Sequence, residues 1–196
     1  MTHPSTQETA RSRQKAGRRA QLMKMAAELF AEKGFGAVSM EDLGASAGVT
    51  GPALYKHFRS KQHLLGELLI DISRRLLQEG RVVAVKCGSD EEALEALVDF
   101  HIEFALTEPE LIRVQERDMT HLTAEDRRAV RRLQRSYVEL WMSILMRIEG
   151  GMSVEEARIR THGVFGLLNS TPHSASPDPD RTRRVLKRMA LSAFQK

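Results

Sequence analysis

The sequence predicts an all-α fold, and three observations carry that expectation. Apolar residues recur at spacings of three and four, as in Leu22, Ala26, Leu29 and Phe30 and again in Leu64, Leu65, Leu68, Leu69, Ile72 and Leu76. Ser or Thr followed three residues later by Asp or Glu opens one segment after another: Ser39 with Asp42, Ser89 with Glu92, Thr123 with Asp126, Ser153 with Glu156. No stretch sustains the alternation of a half-buried strand. At 196 residues the chain is long enough for one compact domain or two small ones.

Residues 1–17 are rich in Thr, Ser, Gln, Arg and Lys and read as a disordered arm, with Arg11, Arg13, Lys15, Arg18 and Arg19 making this end basic. A helix from about Arg18 to Lys33 follows, ended by Gly34. Between Ser39 and Phe58 two short helices meet at a tight turn. Ser39 caps the first, whose inner face carries Met40, Leu43, Gly44 and Ala47, and Gly48 supplies the left-handed residue that stops it. Val49 plugs the angle, Thr50 caps the second helix, and Pro52 sits in its first turn, where a missing N–H breaks no helical bond. Leu54 and Phe58 face inward, which leaves Gly51, Pro52, Ala53, Tyr55, Lys56 and His57 for a partner. A helix, glycine turn and basic, aromatic second helix is the layout of a helix-turn-helix that reads the DNA major groove, with an ordinary helical hairpin as the competing reading. The charge is placed to match. Residues 1–63 carry a net charge of +5 and residues 64–196 a net of −1, so the whole positive excess surrounds this motif.

Ser60 caps the next helix, expected to run to about Glu79 and to act as a lever between the two halves, with a break from Gly80 to Gly88. Leu94, Leu97, Val98, His101, Phe104 and Ala105 mark a helix that ends before Pro109, and a short helical piece spans Glu110 to about Met119. The longest helix of this half runs from Thr123 to about Glu149 on the stripe Val130, Leu133, Tyr137, Leu140, Trp141, Ile144 and Ile148. Its arginines, Arg127, Arg128, Arg131, Arg132 and Arg135, read as a solvated face. Ser153 opens a helix with Ala157, Thr161, Val164, Phe165 and Leu168 on one face and Ile159, His162, Gly163 and Gly166 on another. A Ser- and Pro-rich loop at 170–179 precedes a last helix carrying Val185, Leu186, Met189, Leu191, Ala193 and Phe194.

Catalysis has no positive signal. No His-Glu-x-x-His or Gly-x-Ser-x-Gly occurs, the single Cys87 has no ligand neighbour in sequence, and no metal or cofactor is expected. His101 and His121 read as core or pocket-wall residues. No run approaches the ~20 apolar residues of a membrane span and the polar N-terminus lacks a signal-peptide apolar region, so a cytoplasmic protein is expected.

The stretches Ala26-Ala-Glu-Leu-Phe-Ala-Glu-Lys-Gly-Phe35 and Tyr55-Lys-His-Phe-Arg-Ser-Lys-Gln-His-Leu64, flanking the helix-turn-helix, closely resemble the N-terminal domain of TetR-family transcriptional regulators. The resemblance runs from about Arg18 to Leu69; the rest resembles the family only in length and helical character. It implies an all-α chain with a three-helix helix-turn-helix DNA-binding domain at 18–63 and a helical ligand-binding and dimerisation domain at 64–196. The function implied is that of a homodimeric regulator, most often a repressor, released from a palindromic operator by a small molecule; a DNA-binding protein of this fold without small-molecule control is the alternative. By the same resemblance Tyr55 and His57 lie against phosphates and Lys61 turns its charge to the DNA backbone, while Ser39 caps a helix able to hold a phosphate. Thr50, Pro52, Ala53 and Lys56 are left as the base readers. Phe100, Phe104, Gln115, Met119, His121, Tyr137, Trp141, Phe165 and Asn169 are the groups expected to converge on a largely apolar effector with a few hydrogen-bonding points. Phe165, Leu168, Val185, Leu186 and Met189 are expected at the dimer interface, since the last two long helices are apolar on more than one face.

Overall fold

The computed structural model describes residues 6–195, with side-chain environments from Arg13 onward. All regular structure among the described residues is helical: α1 Thr6–Lys33, α2 Met40–Ser46, α3 Gly51–Tyr55, α4 Lys61–Val85, α5 Asp90–Thr107, α6 Pro109–Asp118, a 3-10 turn Met119–His121, α7 Ala124–Ile148, α8 Val154–Leu168, α9 Thr171–Ser174 and α10 Pro179–Phe194.

Except at Thr50, which makes no side-chain cap bond, the caps form where the sequence places them. Ser39 accepts from the Asp42 backbone N–H, and the Asp42 carboxylate accepts from the Ser39 N–H at 2.8 Å. Ser60, Ser89, Thr123 and Ser153 cap α4, α5, α7 and α8 by accepting from the backbone N–H three residues on. Gly34 and Gly48 take φ of +86° and +62°, conformations that an L side chain rarely adopts. Three boundaries differ from expectation. Residues 6–17 are helical and continuous with the rest of α1, because Gln, Arg, Lys and Ala favour helix once the buried stripe beyond them has nucleated it; Met1 to Ser5 of the expected arm lie outside the described residues. α4 continues to Val85, with Val85 itself exposed, so Gly80 lies inside a helix. Thr171 to Ser174 form a helical turn in the expected loop, pinned by the buried Thr171 hydroxyl donating to Ala105 O at 3.0 Å.

Two apolar clusters fill the molecule. The first joins Leu22, Ala26 and Phe30 of α1 with Leu43, Leu54 and Phe58, then continues through Leu64, Leu65, Leu68 and Ile72 of α4 to Leu111, Ile112 and Val114 of α6 and Val130 of α7. Packing therefore runs without a gap across residue 63. Arg117 of α6 reinforces the join: its guanidinium donates to Phe30 O and Ala31 O, the last-turn carbonyls of α1, and is paired with the buried Asp118 carboxylate at 3.1 Å. The second cluster gathers Leu97, Val98 and Ile102 of α5, Trp141, Ile144 and Leu145 of α7, Leu168 of α8, and Ala190 and Phe194 of α10.

One helix threads both clusters. α4 is 25 residues long, roughly 37 Å at ~1.5 Å per residue. It crosses α7 at two glycines: a Cβ at Gly66 would lie 2.6 Å from Asp126 Oδ2, and one at Gly80 would lie 2.8 Å from Tyr137 Cε2. A side chain at Gly80 would strike the buried Tyr137 ring, whereas one at Gly66 would meet only the flexible end of Asp126.

Candidate nucleic-acid interface and effector chamber

The helix-turn-helix leaves one face open. Met40, Leu43, Ala47, Leu54 and Phe58 are all buried beneath it, whereas Thr50, Pro52, Tyr55 and Lys56 are exposed and Ala53 is half-buried at the rim. Thr50 has the extended backbone of an N-cap but makes no side-chain cap hydrogen bond, so its hydroxyl is available. α3 is shorter than the sequence suggests, ending at Tyr55, and His57 follows in the turn with its Nδ1 buried and without a hydrogen-bond partner. The N-terminus of α2, expected to hold a phosphate beside Ser39, already carries an anion. The Asp42 carboxylate sits there, held below the usual carboxylate range by its hydrogen bonds to Ser39.

Lys61, expected to turn its charge to the DNA backbone, turns inward instead, and Arg18 and Arg19 of the basic end also find partners within the protein. Lys61 Nζ donates to Phe35 O at 2.7 Å and Val38 O at 2.5 Å and lies 4.4 Å from the Phe35 ring centre. Two backbone carbonyls and a ring face satisfy the ammonium, so Lys61 clamps the α1–α2 connection to α4 rather than turning outward. Arg18 donates to Ala47 O at 3.2 Å. Arg19 pairs with Glu67 at 2.6 Å while lying 4.9 Å from the Phe58 ring centre. The exposed cations of this region are Arg13, Lys15, Lys56 and Arg59, among others.

In the C-terminal half a cavity of about 240 Å³ opens between α4, α5, α6, α7 and α8. Of the residues expected to converge on a ligand, Phe104, Gln115, Tyr137, Phe165 and Asn169 line it. Four do not. Phe100 turns to a separate surface groove with Arg75 and Glu79. Met119 packs on the first cluster, and His121 stacks on Phe35 at 4.7 Å while its carbonyl accepts from Gln62 at 2.8 Å; both belong to the junction with the helix-turn-helix unit. Trp141 is fully buried behind the chamber wall, 5.0 Å from the Phe165 ring centre and 6.0 Å from that of Tyr137. Sequence reasoning missed Ser73, Ile112, Gln134, Val138 and His162 as wall residues. Their only signal is position: each falls one or two turns from a neighbour on the same helix that does reach the chamber.

At the chamber's centre is a polar triad. His101 Nε2 lies 3.0 Å from Asn169 Oδ1 and His101 Nδ1 lies 3.3 Å from the Tyr137 hydroxyl. Burial pushes the imidazole pKa down to about 4 and the Tyr137 phenol pKa upward, so both are neutral at pH 7. A neutral ring with its proton on Nε2 satisfies both contacts, donating to Asn169 and accepting from Tyr137. No Asp, Glu, Lys or Arg lines this chamber. Its chemistry is that of apolar walls with uncharged hydrogen-bonding points.

The expected dimer residues divide. Leu168 and Leu186 are buried in their own subunit's core, and Phe165 belongs to the chamber wall, since their faces of α8 and α10 pack on α5 and α7. Val185 and Met189 are exposed, and with them Val154 and Ile159 on α8. Gly163 and Gly166 share this outer face, where an added Cβ would meet nothing within 4 Å.

Among the described residues no cluster of His, Cys, Asp or Glu is arranged to hold a metal ion, and no helix is long and apolar enough to cross a membrane. The family model for bacterial regulatory proteins of the tetR family matches residues 22–68, and a tetracyclin repressor-like C-terminal domain model matches residues 87–187. The transcriptional repressor KstR2 of Rhodococcus jostii is 34% identical over 147 residues, covering 74% of this chain and 70% of that protein. The structure of the ketosteroid transcriptional regulator KstR2 of Mycobacterium tuberculosis superposes with a TM-score of 0.76 at 20% identity, covering 90% of this chain and 93% of the other. AibR, solved in complex with isovaleryl coenzyme A and operator DNA, superposes with a TM-score of 0.73 at 18% identity, over 88% of this chain and 97% of its own.

Proposed function

The chain belongs to the TetR family of bacterial regulatory proteins, as a transcriptional regulator and not an enzyme, and from that premise we propose that it is a repressor that binds a palindromic operator as a homodimer and is released when a small, largely apolar ligand fills the chamber. The observation that carries this reading is that a single helix joins the two sites. α4 starts at the clamp of Lys61 on the α1–α2 connection and, about three to four turns further on, contributes Ser73 and Leu76 to the chamber. A ligand that reshapes the chamber moves the α4–α7 crossing, and with it the spacing of the two reading heads in a dimer. By thermodynamic necessity it must then bind the operator-incompetent arrangement more tightly.

In this reading Thr50, Pro52, Ala53 and Lys56 face base edges and Tyr55 lies against a phosphate, with Arg13 and Lys15 further along the same basic surface. The dimer forms through the outer faces of α8 and α10, around Ile159, Gly163, Gly166, Val185 and Met189. Two features of the relatives support the reading: KstR2 is a repressor, and AibR was solved with both an acyl thioester and operator DNA.

The test is to select binding sites from random duplex DNA with the full-length protein and measure the mass of the complex. A palindrome with half-sites about 34 Å apart, bound by whole dimers, is expected. A wild-type monomer at micromolar concentration that still binds the full palindrome contradicts the proposal.

A further inference from the structure

The arginine run of α7 has a role that the repressor reading does not use. Gln134, Val138 and His162, which line one side of the chamber, also line a second cavity of about 680 Å³ on the surface between α7 and α8. The two spaces therefore lie on either side of the same three side chains. The outer one is lined by Arg131 and Arg135 of α7 and Arg158 of α8, with Glu139 the one carboxylate among its lining residues. Some arginines of this half are matched, Arg147 with Asp90, Arg160 with Glu149 and Glu156, and Arg183 with Glu103, while others, Arg127, Arg128 and Arg132 among them, have no ion pair with a described residue. Arg131, Arg135 and Arg158 make no ion pair or hydrogen bond with any described residue. The chamber behind them, by contrast, is lined by no Asp, Glu, Lys or Arg, and its buried His101 is kept neutral by burial, while His162 stands on the wall that both spaces share.

We propose that chamber and groove together take one two-part ligand: an apolar acyl body whose uncharged carbonyl is met by the chamber's hydrogen-bonding groups, and a multiply anionic, phosphate-bearing head seated on Arg131, Arg135 and Arg158. An acyl thioester of coenzyme A has this division. A free carboxylic acid does not, because its charge would have to enter a chamber with no cation to receive it. Three arginine forks opposed by one carboxylate match a head with several anionic oxygens better than a single carboxylate. The proposal rests on the reading of the chamber as the effector site and specifies what that effector is.

Trp141, the only tryptophan, touches the chamber wall and reports occupancy by its emission. The full-length protein is titrated with octanoyl-coenzyme A, with S-octanoyl-pantetheine (the same thioester without phosphates), with octanoate, with coenzyme A alone and with octanoyl lysophosphatidate. Octanoyl-coenzyme A is expected to bind at least about tenfold more tightly than octanoyl-pantetheine at low salt, and the gap should narrow at about 0.5 M salt as the arginines are screened. The double variant Arg135→Gln, Arg158→Gln should close most of that gap while leaving octanoyl-pantetheine affinity unchanged. Equal affinity of the two thioesters at every salt concentration, or a gap that survives in the double variant, overturns the groove's part and leaves the chamber standing. Tighter binding of the lysophosphatidate than of the coenzyme A thioester overturns the assignment to a nucleotide thioester. If no thioester alters Trp141 emission while an uncharged apolar compound does, the two-part ligand is wrong but the effector chamber is retained. If nothing does, both fall.

Discussion

The two apolar clusters are built to different specifications. The one beneath the DNA-reading face is closed around the fully buried Phe30 and Phe58, with caps and clamps at its rim and His57 Nδ1 buried unpartnered beside it, and only its far end, at Phe104 and Ile112, reaches the chamber. The one in the C-terminal half brings the rings of His101, Tyr137, Trp141 and Phe165 to a cavity whose remaining ring, Phe104, comes from the first cluster, and buries Trp141 Nε1 and Thr161 Oγ1 without partners. Empty volume and unmade hydrogen bonds both cost stability. The comparison teaches that the helix-turn-helix unit is built to hold one shape, while the chamber leaves stability unclaimed, as the proposed effector site requires.

The largest expected effect tests that contrast directly. Phe58→Ala should cost about 3–5 kcal/mol in urea unfolding, the usual range for a fully buried ring, and abolish operator binding. Phe165→Ala, whose ring already borders the cavity, should cost only about 1–2 kcal/mol. Equal losses would erase the distinction between the clusters.

The two ends of α4 sharpen the comparison. Gly80→Ala drives a Cβ against the buried Tyr137 ring and should destabilise by about 1–3 kcal/mol. Gly66→Ala meets the end of the Asp126 side chain, which can rotate aside at the cost of its bond to Thr123, so its loss in thermal denaturation should be smaller.

A third test uses pH. The pKa of His101 in the folded protein, about 4, lies below the unfolded value, so the unfolded chain takes up the proton first as pH falls. Below about pH 6.5 stability should decline by up to ~1.4 kcal/mol per pH unit and level off near pH 4. His101→Gln should remove that component, seen as a shallower difference curve against wild type. An unchanged curve would mean that His101 is solvated and the chamber wetter than described.

The smallest effect separates two lysines. Lys61→Ala, which removes a clamp on two carbonyls, should cost about 1 kcal/mol of stability and leave the salt dependence of DNA binding unchanged. Lys56→Ala should leave stability within about 0.5 kcal/mol and alter DNA binding instead, at particular base pairs if it reads bases or as a slope change of about one per subunit if it contacts phosphate. A lowered slope for Lys61→Ala would return it to the DNA surface.

What was legible in the sequence follows from range. Caps, glycine turns and helical stripes act over three to seven residues, so Ser39 with Asp42, Gly48 and the α4 stripe could be read directly. Which way a long side chain bends depends on groups far away in sequence. Lys61 is turned inward by carbonyls of residues 35 and 38, and Arg19 by Glu67, neither of which a local pattern exposes. The chamber fared similarly. Aromatic residues were the right signal for Phe104, Tyr137 and Phe165, but Trp141 and Phe100 show that an aromatic side chain on the right helix can sit behind the wall or outside it. At α8 and α10 an apolar residue could not be assigned to core or partner by spacing alone, which is why Leu168 and Leu186 fell on the wrong side.

The central claim is that chamber occupancy and operator binding are coupled through α4, and linkage offers its most direct measurement. A compound that alters Trp141 emission is titrated into the free protein and into the operator complex, and operator affinity is measured with and without it. The account predicts that the compound weakens operator binding about 5–150-fold and that operator weakens the compound's binding by the same factor. A compound that fills the chamber with equal affinity in free and operator-bound protein would contradict it.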